Sequence, residues 1–331
     1  MTSVALLVVN YRSSALAIEA IRTARAASGR PLHVVAVDNS VDPAEAGALG
    51  GAADVVIASP SNVGYAAAIN AGRPACHADL IVVANPDVRF APGAIDALVD
   101  AGAAVAGPAL FWDDGHRWLL PPAELHTRSE IIDRAVASRW RMWAARRDRR
   151  RFRARLAFWE LERTTRVRAI SGAVMAIRAK AFDEAGGFDE RFHLYFEESD
   201  FLRRVRGEIA YVPAARCRHL YNQSAGGSVE AAAAYAQSER DYLRKWGGGF
   251  AKRFEREIGM RRVLNPSAEE GGSITEASPL PTFETAAGCL TGEPDVPDDV
   301  WNVYKGNVLY MRALTRDGHT LRTWTRTRIP A

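Results

Sequence analysis

Short, continuous apolar runs alternate with Ala-rich segments of helical spacing along the first 110 residues. An apolar run without polar interruption is typical of a strand that is buried on both faces of a sheet. The predicted strands cover residues 4–9, 33–37, 54–58, 80–84 and 103–106, and the predicted helices cover residues 14–27, 44–49, 66–73 and 91–101. Because strict alternation of strand and helix favours parallel pairing, we expect an α/β fold with a mostly parallel sheet flanked by helices.

The pattern changes after residue 110. Residues 113–122 are polar and rich in turn formers, whereas residues 128–168 have helical spacing, with tryptophan and phenylalanine among many arginines. Short apolar runs at residues 173–177 and 209–212 predict two more strands, and an Ala-rich segment at residues 230–246 predicts another helix. This part of the chain therefore combines strands with a helical insertion.

The C-terminal part differs in composition from the rest. Residues 265–299 are rich in Pro, Gly, Ser, Thr and Glu, which is typical of loops or disordered segments. Residues 300–329 contain aromatic and β-branched positions that predict two or three strands. We therefore expect two halves of one domain, residues 1–110 and 111–258, followed by a small, loop-rich extension with short strands over residues 259–331.

The composition fits a globular protein with a large core. Of the 331 residues 48% are hydrophobic, but no apolar run approaches the roughly 20 residues that a membrane span needs. The first apolar run lacks a basic flank, so it predicts a strand and not a signal peptide. The three cysteines are far apart and form no CxxC pair, which argues against a disulfide framework or a zinc site and favours a cytoplasmic location.

Positive charge is concentrated in one part of the chain. The net charge is only +4, but arginines greatly outnumber acids in residues 128–168. One interpretation is a surface drawn to anionic lipid, which would place the protein peripherally at the inner face of a membrane. The other is a solvated pair of helices whose aromatic residues pack on the domain. The sequence leaves both open, and nothing else in it supports binding of nucleic acid.

Polar residues follow each of the first four predicted strands. The four clusters are Asn10-Tyr11-Arg12-Ser13, Asp38-Asn39-Ser40, Ser61-Asn62-Val63-Gly64-Tyr65 and Asn85-Pro86-Asp87. Because parallel strands end on the same edge of a sheet, where ligands bind, four clusters in series favour a binding site over ordinary turns. The Asp38 carboxylate could hold a base or a ribose there, and Gly64 would let a ligand approach the backbone beside a helix N-terminus.

The cluster that ends in Asp87 has two interpretations. A carboxylate at a strand end suits a hard divalent ion that already carries phosphate oxygens. Asn-Pro-Asp is also an ordinary turn sequence, so the tripeptide alone does not decide between a metal site and a turn. The chain contains neither GxGxxG nor the Walker phosphate-binding sequence, which argues against a Rossmann-like oxidoreductase.

Three carboxylates crowd into four residues at Glu197, Glu198 and Asp200, directly after an aromatic run. Carboxylates so close repel one another and are costly to bury, so they need a cation, a proton-accepting task or exposure to solvent. A solvated helix start, with Ser199 and Asp200 as capping residues, is the alternative.

Taken in order, the motifs resemble a known enzyme family. They are Val8-Val9-Asn10-Tyr11, Val37-Asp38-Asn39-Ser40, Asn62-Val63-Gly64-Tyr65 with Asn70, Asn85-Pro86-Asp87, Ser171-Gly172-Ala173, Gly186-Gly187-Phe188-Asp189-Glu190 and Tyr195-Phe196-Glu197-Glu198-Ser199-Asp200. The ordered set resembles the family 2 inverting glycosyltransferases of GT-A fold, and within them a bacterial rhamnosyltransferase-like branch. The resemblance covers roughly residues 3 to 250, and the tail lies outside it.

The resemblance implies roles on the donor side of a site. Asn10, Tyr11 and Asp38 would hold the base and ribose of a nucleoside diphosphate sugar, and Asn62, Gly64 and Asn70 would line the nucleotide pocket. Asn85 stands at the first position of the family's DxD motif, which leaves Asp87 as the carboxylate ligand of a divalent metal, Mg²⁺ or Mn²⁺. His219 matches a late histidine that reaches the metal or the diphosphate, and residues 223–228 match a loop that closes over the diphosphate.

The resemblance also implies the acceptor side. Glu198 would be the general base that takes the proton from an acceptor hydroxyl. Glu197 and Asp200 would orient the acceptor or the neighbouring backbone, with Gly172 in support. Asp189 would contact the acceptor or cap its own turn.

The family context implies direct displacement with inversion at the sugar. A dTDP-rhamnose-like donor and a UDP-hexose are the two donors to consider, and a glycan, a lipid-linked sugar or a natural product could supply the accepting hydroxyl. A catalytically weak nucleotide- or carbohydrate-binding module of the same fold is the alternative function. The sequence does not indicate an oligomeric state.

Overall fold

The structure is a computed structural model that describes residues 2–220, 229–248 and 274–328, and the chain divides into two compact units. The first unit comprises Met1–Leu110, Ala123–Leu125 and Glu162–Tyr242. The second comprises Phe111–Pro122, His126–Leu161 and Leu243–Ala331. The helical insertion is thus grouped with the C-terminal extension, whereas the domain boundaries at residues 110 and 258 stay a prediction.

Strands and helices alternate through the N-terminal part of the first unit. In chain order they are β1 (Val4–Asn10), α1 (Ser14–Ala26), β2 (Leu32–Asp38), α2 (Pro43–Leu49), β3 (Val55–Ala58), α3 (Tyr65–Gly72), β4 (Leu80–Ala84), β5 (Val88–Phe90), α4 (Ala94–Asp100) and β6 (Val105–Phe111). After the short strand β7 (Trp118–Leu119) and two helices of the second unit, α5 (Arg128–Ala137) and α6 (Arg141–Trp159), the chain returns to the first unit. There it forms β8 (Thr165–Arg166), β9 (Val174–Arg178), α7 (Ala179–Glu184), α8 (Glu197–Arg204), β10 (Ile209–His219) and most of α9 (Val229–Trp246).

The sheet of the first unit is parallel at its centre. The strand order is β3-β2-β1-β4-β9-β6, and the pairs among β3, β2, β1 and β4 are all parallel. This confirms the expected α/β class and the mostly parallel sheet. The alternation did not predict that β9 inserts antiparallel between β4 and β6, because β9 comes from a segment about 90 residues later than β4.

Both faces of this sheet are buried, which explains the uninterrupted apolar runs. On β1, Leu6 and Val8 face the core cluster that includes Ile21 of α1. Leu7 and Val9 face the opposite cluster, which includes Ile69 of α3. Side chains alternate along a strand, so a strand covered by helices on both faces needs apolar residues at every position.

Parallel pairing brings the ends of β1 and β2 together. Asn10, the last residue of β1, is the register partner of Asp38, the last residue of β2. On the far side of β1, Val8 pairs with Ala84, the last residue of β4, so that Asn85 follows at the same edge. The expected polar edge therefore exists.

The second unit contains an antiparallel sheet. Its C-terminal elements are β11 (Ile274–Ser278), β12 (Ala287–Cys289), α10 (Asp298–Val303), β13 (Val308–Leu314) and β14 (Thr320–Thr327). Strand β11 pairs with β12 and β13, and β13 pairs with β14. Phe152 and Leu156 of α6 pack with Ile274 and Leu314 in a small core.

Two predictions about this unit were wrong. Residues 265–299 were expected to be loop, but β11 and β12 lie within them and are buried throughout. The small and polar residues of β11 pair on both sides and make buried ion pairs, so their polarity does not indicate exposure. The single helical stretch at residues 128–168 consists of α5 and α6, which ends at Trp159.

Candidate active site

Asn10 and Asp38 are joined by a hydrogen bond at the edge of the sheet. Nδ2 of Asn10 donates to Oδ1 of Asp38 at 2.8 Å, and the same carboxylate oxygen accepts from the hydroxyl of Ser40 at 2.6 Å. Both Asn10 and Asp38 are almost completely buried. Oδ1 of Asn10 accepts from the backbone N–H of Ser13, so this side chain fixes the turn that follows β1. The pair predicted to hold a base and ribose is therefore also part of the scaffold.

Glu45, which the predicted set omitted, also joins this network. Its Oε2 accepts from Nδ2 of Asn10 at 2.8 Å and from the backbone N–H of Ser14 at 2.9 Å. The hydrogen bond from Asn10 is the main reason why the pKa of Glu45 is lowered. Glu45 lies in the first turn of α2, where an acid is ordinarily explained by the helix dipole, so the sequence offered no distinctive signal.

Tyr11 and Asn62 lie at the surface of the first unit. Tyr11 is 41% exposed, and the guanidinium of Arg12 lies 5.4 Å from the centre of its ring. An exposed aromatic ring beside a polar strand end can stack on a flat ligand. Oδ1 of Asn62 accepts from the backbone N–H of Gly64 at 3.2 Å and so shapes the turn before α3.

Gly64 contacts His193 and not open space. Its φ of 90° lies in the region that favours glycine, and a Cβ added there would lie only 2.6 Å from Nδ1 of His193. The N–H of Tyr65 donates to the carbonyl of His193 at 2.8 Å. The close approach expected at Gly64 is thus made by the segment that precedes the acid pair.

Asn70 binds the turn that contains Phe188. Its Nδ2 donates to the carbonyl of Phe188 and to Oε1 of Glu190, both at 2.9 Å, and its Oδ1 accepts from the N–H of Phe188 at 2.9 Å. Both ends of the amide are therefore engaged within the protein. This placement does not support the predicted role of Asn70 in the nucleotide pocket.

Asp87 and His219 lie side by side. Nε2 of His219 is 3.3 Å from Oδ1 of Asp87, and their side chains are 11% and 3% exposed. Antiparallel pairing of β10 with β5, in which His219 is opposite Val88, produces this contact between residues 132 positions apart. The two predicted metal ligands are brought together by the fold.

A hard carboxylate oxygen and an imidazole nitrogen at this spacing fit a divalent ion. Mg²⁺ and Mn²⁺ accept few protein ligands and take the rest from phosphate and water. Within residues 2–220, 229–248 and 274–328 no group of three or more His, Cys, Asp or Glu side chains forms a metal site.

Tyr65 connects the polar edge to the acid pair. Its hydroxyl donates to Oδ1 of Asn85 at 2.8 Å. Burial raises the pKa of the Tyr65 phenol, and the charges of Glu197, Asp87 and Glu198 raise it further. Two carboxylates of α8 and one from the turn after β4 thus act on one phenol, which makes Tyr65 a site residue that the predicted set omitted.

Glu197 and Glu198 form a buried, interacting carboxylate pair at the start of α8. Glu197 is buried, and its Oε2 has no hydrogen-bond partner in the part of the chain that the structure describes. Glu198 is half-buried and accepts from the hydroxyl of Ser199 at 3.0 Å. Burial raises the pKa of Glu197 well above its ordinary value, and the neighbouring Glu198 raises it further. Burial also raises the pKa of Glu198. The acids are therefore not a solvated helix start.

The backbone before the pair is held in an unusual conformation. Tyr195 and Phe196 have φ values of 69° and 67°, which cost about 1–3 kcal/mol each for residues other than glycine. The rings of Tyr195 and Phe196 pack on Tyr235 of α9 at 5.4 and 5.2 Å between centroids, and the Phe196 ring packs on Tyr242 at 5.2 Å. Helix α9 thereby stabilises the segment that directs the two glutamates.

Gly172 makes room for Glu198. A Cβ added to Gly172 would lie 3.1 Å from Cγ and 3.2 Å from Cβ of Glu198. Ala173, the next residue, accepts from the backbone N–H of Asn85 at 2.9 Å. The Gly172 segment therefore packs on the acid pair and is hydrogen-bonded to the residue that Tyr65 contacts.

Asp200 and Asp189 are engaged by arginines. The fully buried Asp200 accepts from Nε of Arg204 at 2.8 Å, and Arg204 also donates to the carbonyls of Ala185 and Gly187. Asp189 accepts from the side chain of Arg191 at 2.6 Å. These contacts favour the turn-capping role for Asp189 and a scaffolding role for Asp200.

The polar residues that follow β1, β2 and β4 lie at one edge of the sheet, and together with Glu198 of α8 this arrangement can hold a phosphorylated ligand and accept a proton. The predicted loop at residues 223–228 lies outside the described residues. Among the described residues, no helix is long and apolar enough to cross a membrane.

Known proteins resemble this chain over its first three quarters. The sequence profile described as "Glycosyltransferase like family 2" matches residues 2–244. An N-acetylglucosaminyl-diphospho-decaprenol L-rhamnosyltransferase of Mycobacterium tuberculosis is 31% identical over an alignment of 229 residues. The alignment covers 60% of this chain and 70% of the relative.

Solved structures are more distant. The mannosyltransferase PcManGT from Pyrobaculum calidifontis, in complex with GDP-Man and Mn²⁺, is 14% identical over 76% of this chain and 69% of that protein, with a TM-score of 0.47. GalNAc-T7 with UDP, GalNAc and Mn²⁺ is 13% identical over 66% of this chain, with a TM-score of 0.44, and the match spans 44% of its length. The family match covers well over half of the residues and includes every predicted site residue. The chain therefore belongs to the family 2-like glycosyltransferases.

Proposed function

We propose that the protein transfers a sugar from a nucleoside diphosphate sugar to a hydroxyl group with inversion at the anomeric carbon. The observation that carries this proposal is the buried pair Glu197 and Glu198, of which only Glu198 is partly accessible. A carboxylate with a raised pKa is a stronger base than a solvated one, and it can accept a proton from an alcohol as the oxygen attacks.

In the proposed reaction, Glu198 takes the proton of the acceptor hydroxyl. The acceptor oxygen forms a bond to the anomeric carbon while the bond from that carbon to the diphosphate oxygen breaks. The electron pair of the broken bond leaves with the nucleoside diphosphate. Attack from the side opposite the leaving group inverts the configuration, and Glu198 ends the step protonated.

Asp87 and His219 would hold a divalent ion, Mg²⁺ or Mn²⁺. When bound, such an ion offsets the negative charge of a departing diphosphate. The 3.3 Å contact between the two side chains supports this assignment. Tyr65 keeps Asn85 in a fixed orientation, two residues before Asp87 in the sequence.

The donor side is proposed to lie at the ends of β1 and β2. Asp38, held by Asn10 and Ser40, is the carboxylate suited to a ribose or base, and the exposed ring of Tyr11 offers a stacking surface. We propose a deoxyhexose donor such as dTDP-rhamnose, with a UDP-hexose as the alternative. The name of the mycobacterial relative, an L-rhamnosyltransferase, supports the deoxyhexose donor.

The same name supports a lipid-linked sugar as the acceptor, ahead of a free glycan or a natural product. A lipid-linked acceptor requires contact with a membrane surface, and we propose that the second unit provides it. Helices α5 and α6 contain ten arginines and three acids, a formal +7 in a chain whose net charge is +4. Large apolar side chains are exposed on the same helices and the turn between them: Ile132 (54%), Trp140 (62%), Met142 (89%) and Trp143 (40%).

Exposed tryptophan beside arginine is the combination that binds the interface of an anionic bilayer. Some of the predicted aromatic residues pack inward instead, since Phe152 and Trp159 are buried. Within residues 128–168, the exposed residues therefore fit the interpretation as a lipid-binding surface, and the buried aromatic residues fit the interpretation in which they pack on the domain. The cytoplasmic location stays a prediction, and the three buried cysteines, which form no disulfide, support it.

A transfer assay with a panel of nucleotide sugars tests the function. Purified protein is mixed with Mg²⁺ or Mn²⁺, one donor at a time, and a short prenyl-diphosphate N-acetylglucosamine acceptor. We expect product from dTDP-rhamnose, and NMR of the new glycosidic bond should show the anomeric configuration opposite to that of the donor. Retention of configuration would contradict the mechanism, and absence of product and of donor binding with every nucleotide sugar would contradict the enzyme proposal.

A further inference from the structure

A cavity of about 380 Å³ lies within the second unit, against the sheet formed by β11, β13 and β14. Its size falls in the range of about 300–1,000 Å³ that is typical of small-molecule sites. The wall opposite the sheet is α6, and the segment that contains Phe283 and Glu284 closes one side. None of the predicted site residues lies in this unit.

Two rows of side chains cross the sheet beneath the cavity. Arg312 pairs with Glu276 on one side and with Thr323 on the other. Two residues along, Tyr310 pairs with Ser278 and Thr325 in the same way. Residues at alternate positions of a strand share a face, so both rows face the same way. Helix α6 contributes lining residues at a helical spacing, namely Arg147, Asp148, Arg151 and Arg155.

A network of buried ion pairs lies beneath the cavity; Asp148, Arg155 and Arg312 of this network line the cavity, and Glu276 lies behind them. Arg155 donates to Oε1 of Glu276 at 2.6 Å, and Arg312 donates to Oε2 of Glu276 at 2.7 Å and to the carboxylate of Asp148 at 2.8 Å. The side chains of Arg155, Glu276 and Arg312 are 2%, 0% and 3% exposed. Apolar residues of the same volume would often stabilise a fold as well or better, so such a network calls for a function other than stability.

The charges of this network balance. Arg155 and Arg312 are matched by Glu276 and Asp148. Of the other two lining arginines, Arg147 is hydrogen-bonded to Glu130, Asp133 and Glu284, and Arg151 lies 3.7 Å from Glu130. A diphosphate would therefore gain no net attraction here. A neutral ligand with several hydroxyl groups can use the remaining lone pairs and N–H groups of fixed carboxylates and guanidinium groups without adding charge.

The rest of the wall suits the same kind of ligand. Tyr310 and Phe283 supply aromatic rings, and the guanidinium of Arg312 lies 4.3 Å from the centre of the Phe283 ring, which restrains it. Thr282, Thr323 and Thr325 add hydroxyl groups. A sugar ring has apolar C–H faces and a polar rim, so it can pack against aromatic rings while its hydroxyls bond to the polar groups.

We propose that this cavity is a second ligand site, which binds a neutral sugar residue of a glycan. The site is independent of sugar transfer, because its residues belong to the second unit and the candidate active site belongs to the first. It would allow the protein to hold a glycan by a sugar residue other than the one that reacts.

Saturation-transfer NMR on the full chain tests the site, with methyl glycosides of rhamnose, galactose and N-acetylglucosamine as probes. Thr323→Val keeps the shape and removes one hydroxyl, and we expect about 2- to 10-fold weaker binding of the bound sugar. Tyr310→Ala should remove the signal. Thr327→Val, an exposed threonine near the end of β14 that does not line the cavity, is the matched control and should bind as wild type does.

Three results would overturn the proposal. The first is that no glycoside gives a signal with the wild-type chain. The second is wild-type affinity in Thr323→Val together with an undiminished signal in Tyr310→Ala, in variants whose melting curves match wild type; should Tyr310→Ala not fold, wild-type affinity in Thr323→Val alone overturns the proposal. The third is displacement of the sugar by inorganic pyrophosphate, which would indicate an anion site. Glu198→Gln should leave binding of the glycoside to this cavity unchanged. Failure of the second-site proposal can therefore be distinguished from failure of the sugar-transfer proposal.

Discussion

The hydroxyl of Tyr65 donates a 2.8 Å hydrogen bond to Oδ1 of Asn85 across 20 residues of sequence. This contact joins the start of α3 to the residue after β4, and the charges of Asp87, Glu197 and Glu198 all act on the same phenol. Tyr65 thus lies between the predicted metal ligand and the predicted base. We expect it to position Asn85 without reacting itself.

Tyr65→Phe should lower activity by about 2- to 10-fold, the effect of one neutral hydrogen bond. Because Asn85 would lose its partner next to Asp87, the metal concentration for half-maximal activity should rise more than the KM for the acceptor. Steady-state kinetics at several Mn²⁺ concentrations measure both. A uniform loss of stability with unchanged metal dependence would show that the hydroxyl is only structural. Tyr211→Phe, which alters a buried tyrosine outside the site, is the control.

Glu198→Gln should reduce kcat by about 10²- to 10⁴-fold, since an amide cannot accept the proton. The affinity for the nucleotide, measured by calorimetry, should stay close to wild type. Glu197→Gln is the matched control, because it changes the neighbouring acid of the same pair. A variant Glu198→Gln with near wild-type turnover would disprove the assignment of the base.

The acid pair predicts opposite effects of pH on activity and on stability. Activity requires ionised Glu198, so the rate should rise with pH through a midpoint above the ordinary glutamate value of 4.5, because burial raises the pKa of Glu198. A pH profile of kcat/KM measures this limb. A midpoint at or below 4.5 would contradict the raised pKa.

The free energy of unfolding should decrease as pH rises above 4.5. A carboxylic acid whose pKa is raised in the folded state ionises more readily in the unfolded state, so its ionisation favours unfolding. Burial and the charge of Glu198 raise the pKa of Glu197. Glu197→Gln removes this cost, so its Tm relative to wild type should increase between pH 5 and pH 8. A constant difference in Tm across that range would show that Glu197 does not titrate there.

Metal dependence should reside in Asp87 and His219. His219→Ala should weaken activation by Mn²⁺ by roughly tenfold or more, by analogy with losses of metal-supporting groups, and chelation should abolish transfer by wild type. Isothermal titration with Mn²⁺ and a nucleoside diphosphate tests the affinity directly. His33→Ala, which alters a histidine of β2 that hydrogen-bonds to Ala75, is the control. Full activity in the presence of chelator would exclude the metal role.

Binding to membranes should depend on both charge and exposed aromatic residues of α6. Replacing Arg146 and Arg149 with serine removes two charges, worth about 1 kcal/mol each near an anionic surface, so binding to phosphatidylglycerol vesicles should weaken by roughly 30-fold. Trp140→Ala should weaken it further, and neutral vesicles should bind poorly. Arg163→Ser and Leu280→Ala, both at exposed positions outside these helices, are controls. Equal binding of all variants to phosphatidylglycerol vesicles would contradict the proposal that α5 and α6 form a membrane-binding surface.

Local pattern predicted the sheet and its polar edge well. Residues 80–84 were predicted as a strand with the observed ends, because Leu80 to Ala84 are apolar at every position and buried on both faces. The meeting of Asn10 with Asp38 follows from parallel register alone. Such features depend on periodicity and connectivity, which are present in the sequence.

Contacts between distant segments could not be predicted in this way. Glu45 joins Asn10 because the start of α2 lies at the end of β1, and Tyr65 meets Asn85 because α3 starts where β4 ends. Asn70 was grouped with the nucleotide pocket by motif order, but its amide is used to hold Phe188. Motif order therefore does not show whether a residue faces a ligand or holds another part of the fold.

The left-handed backbone at Tyr195 and Phe196 limits how this enzyme could be redesigned. The conformation is stabilised by Tyr235 and Tyr242, which lie about 40 residues later in the chain. A graft that exchanged only the segment around the glutamates would leave those rings without their complementary surface. The acceptor side proposed for this segment therefore depends on two separated stretches of sequence, and a chimera would have to exchange both at once.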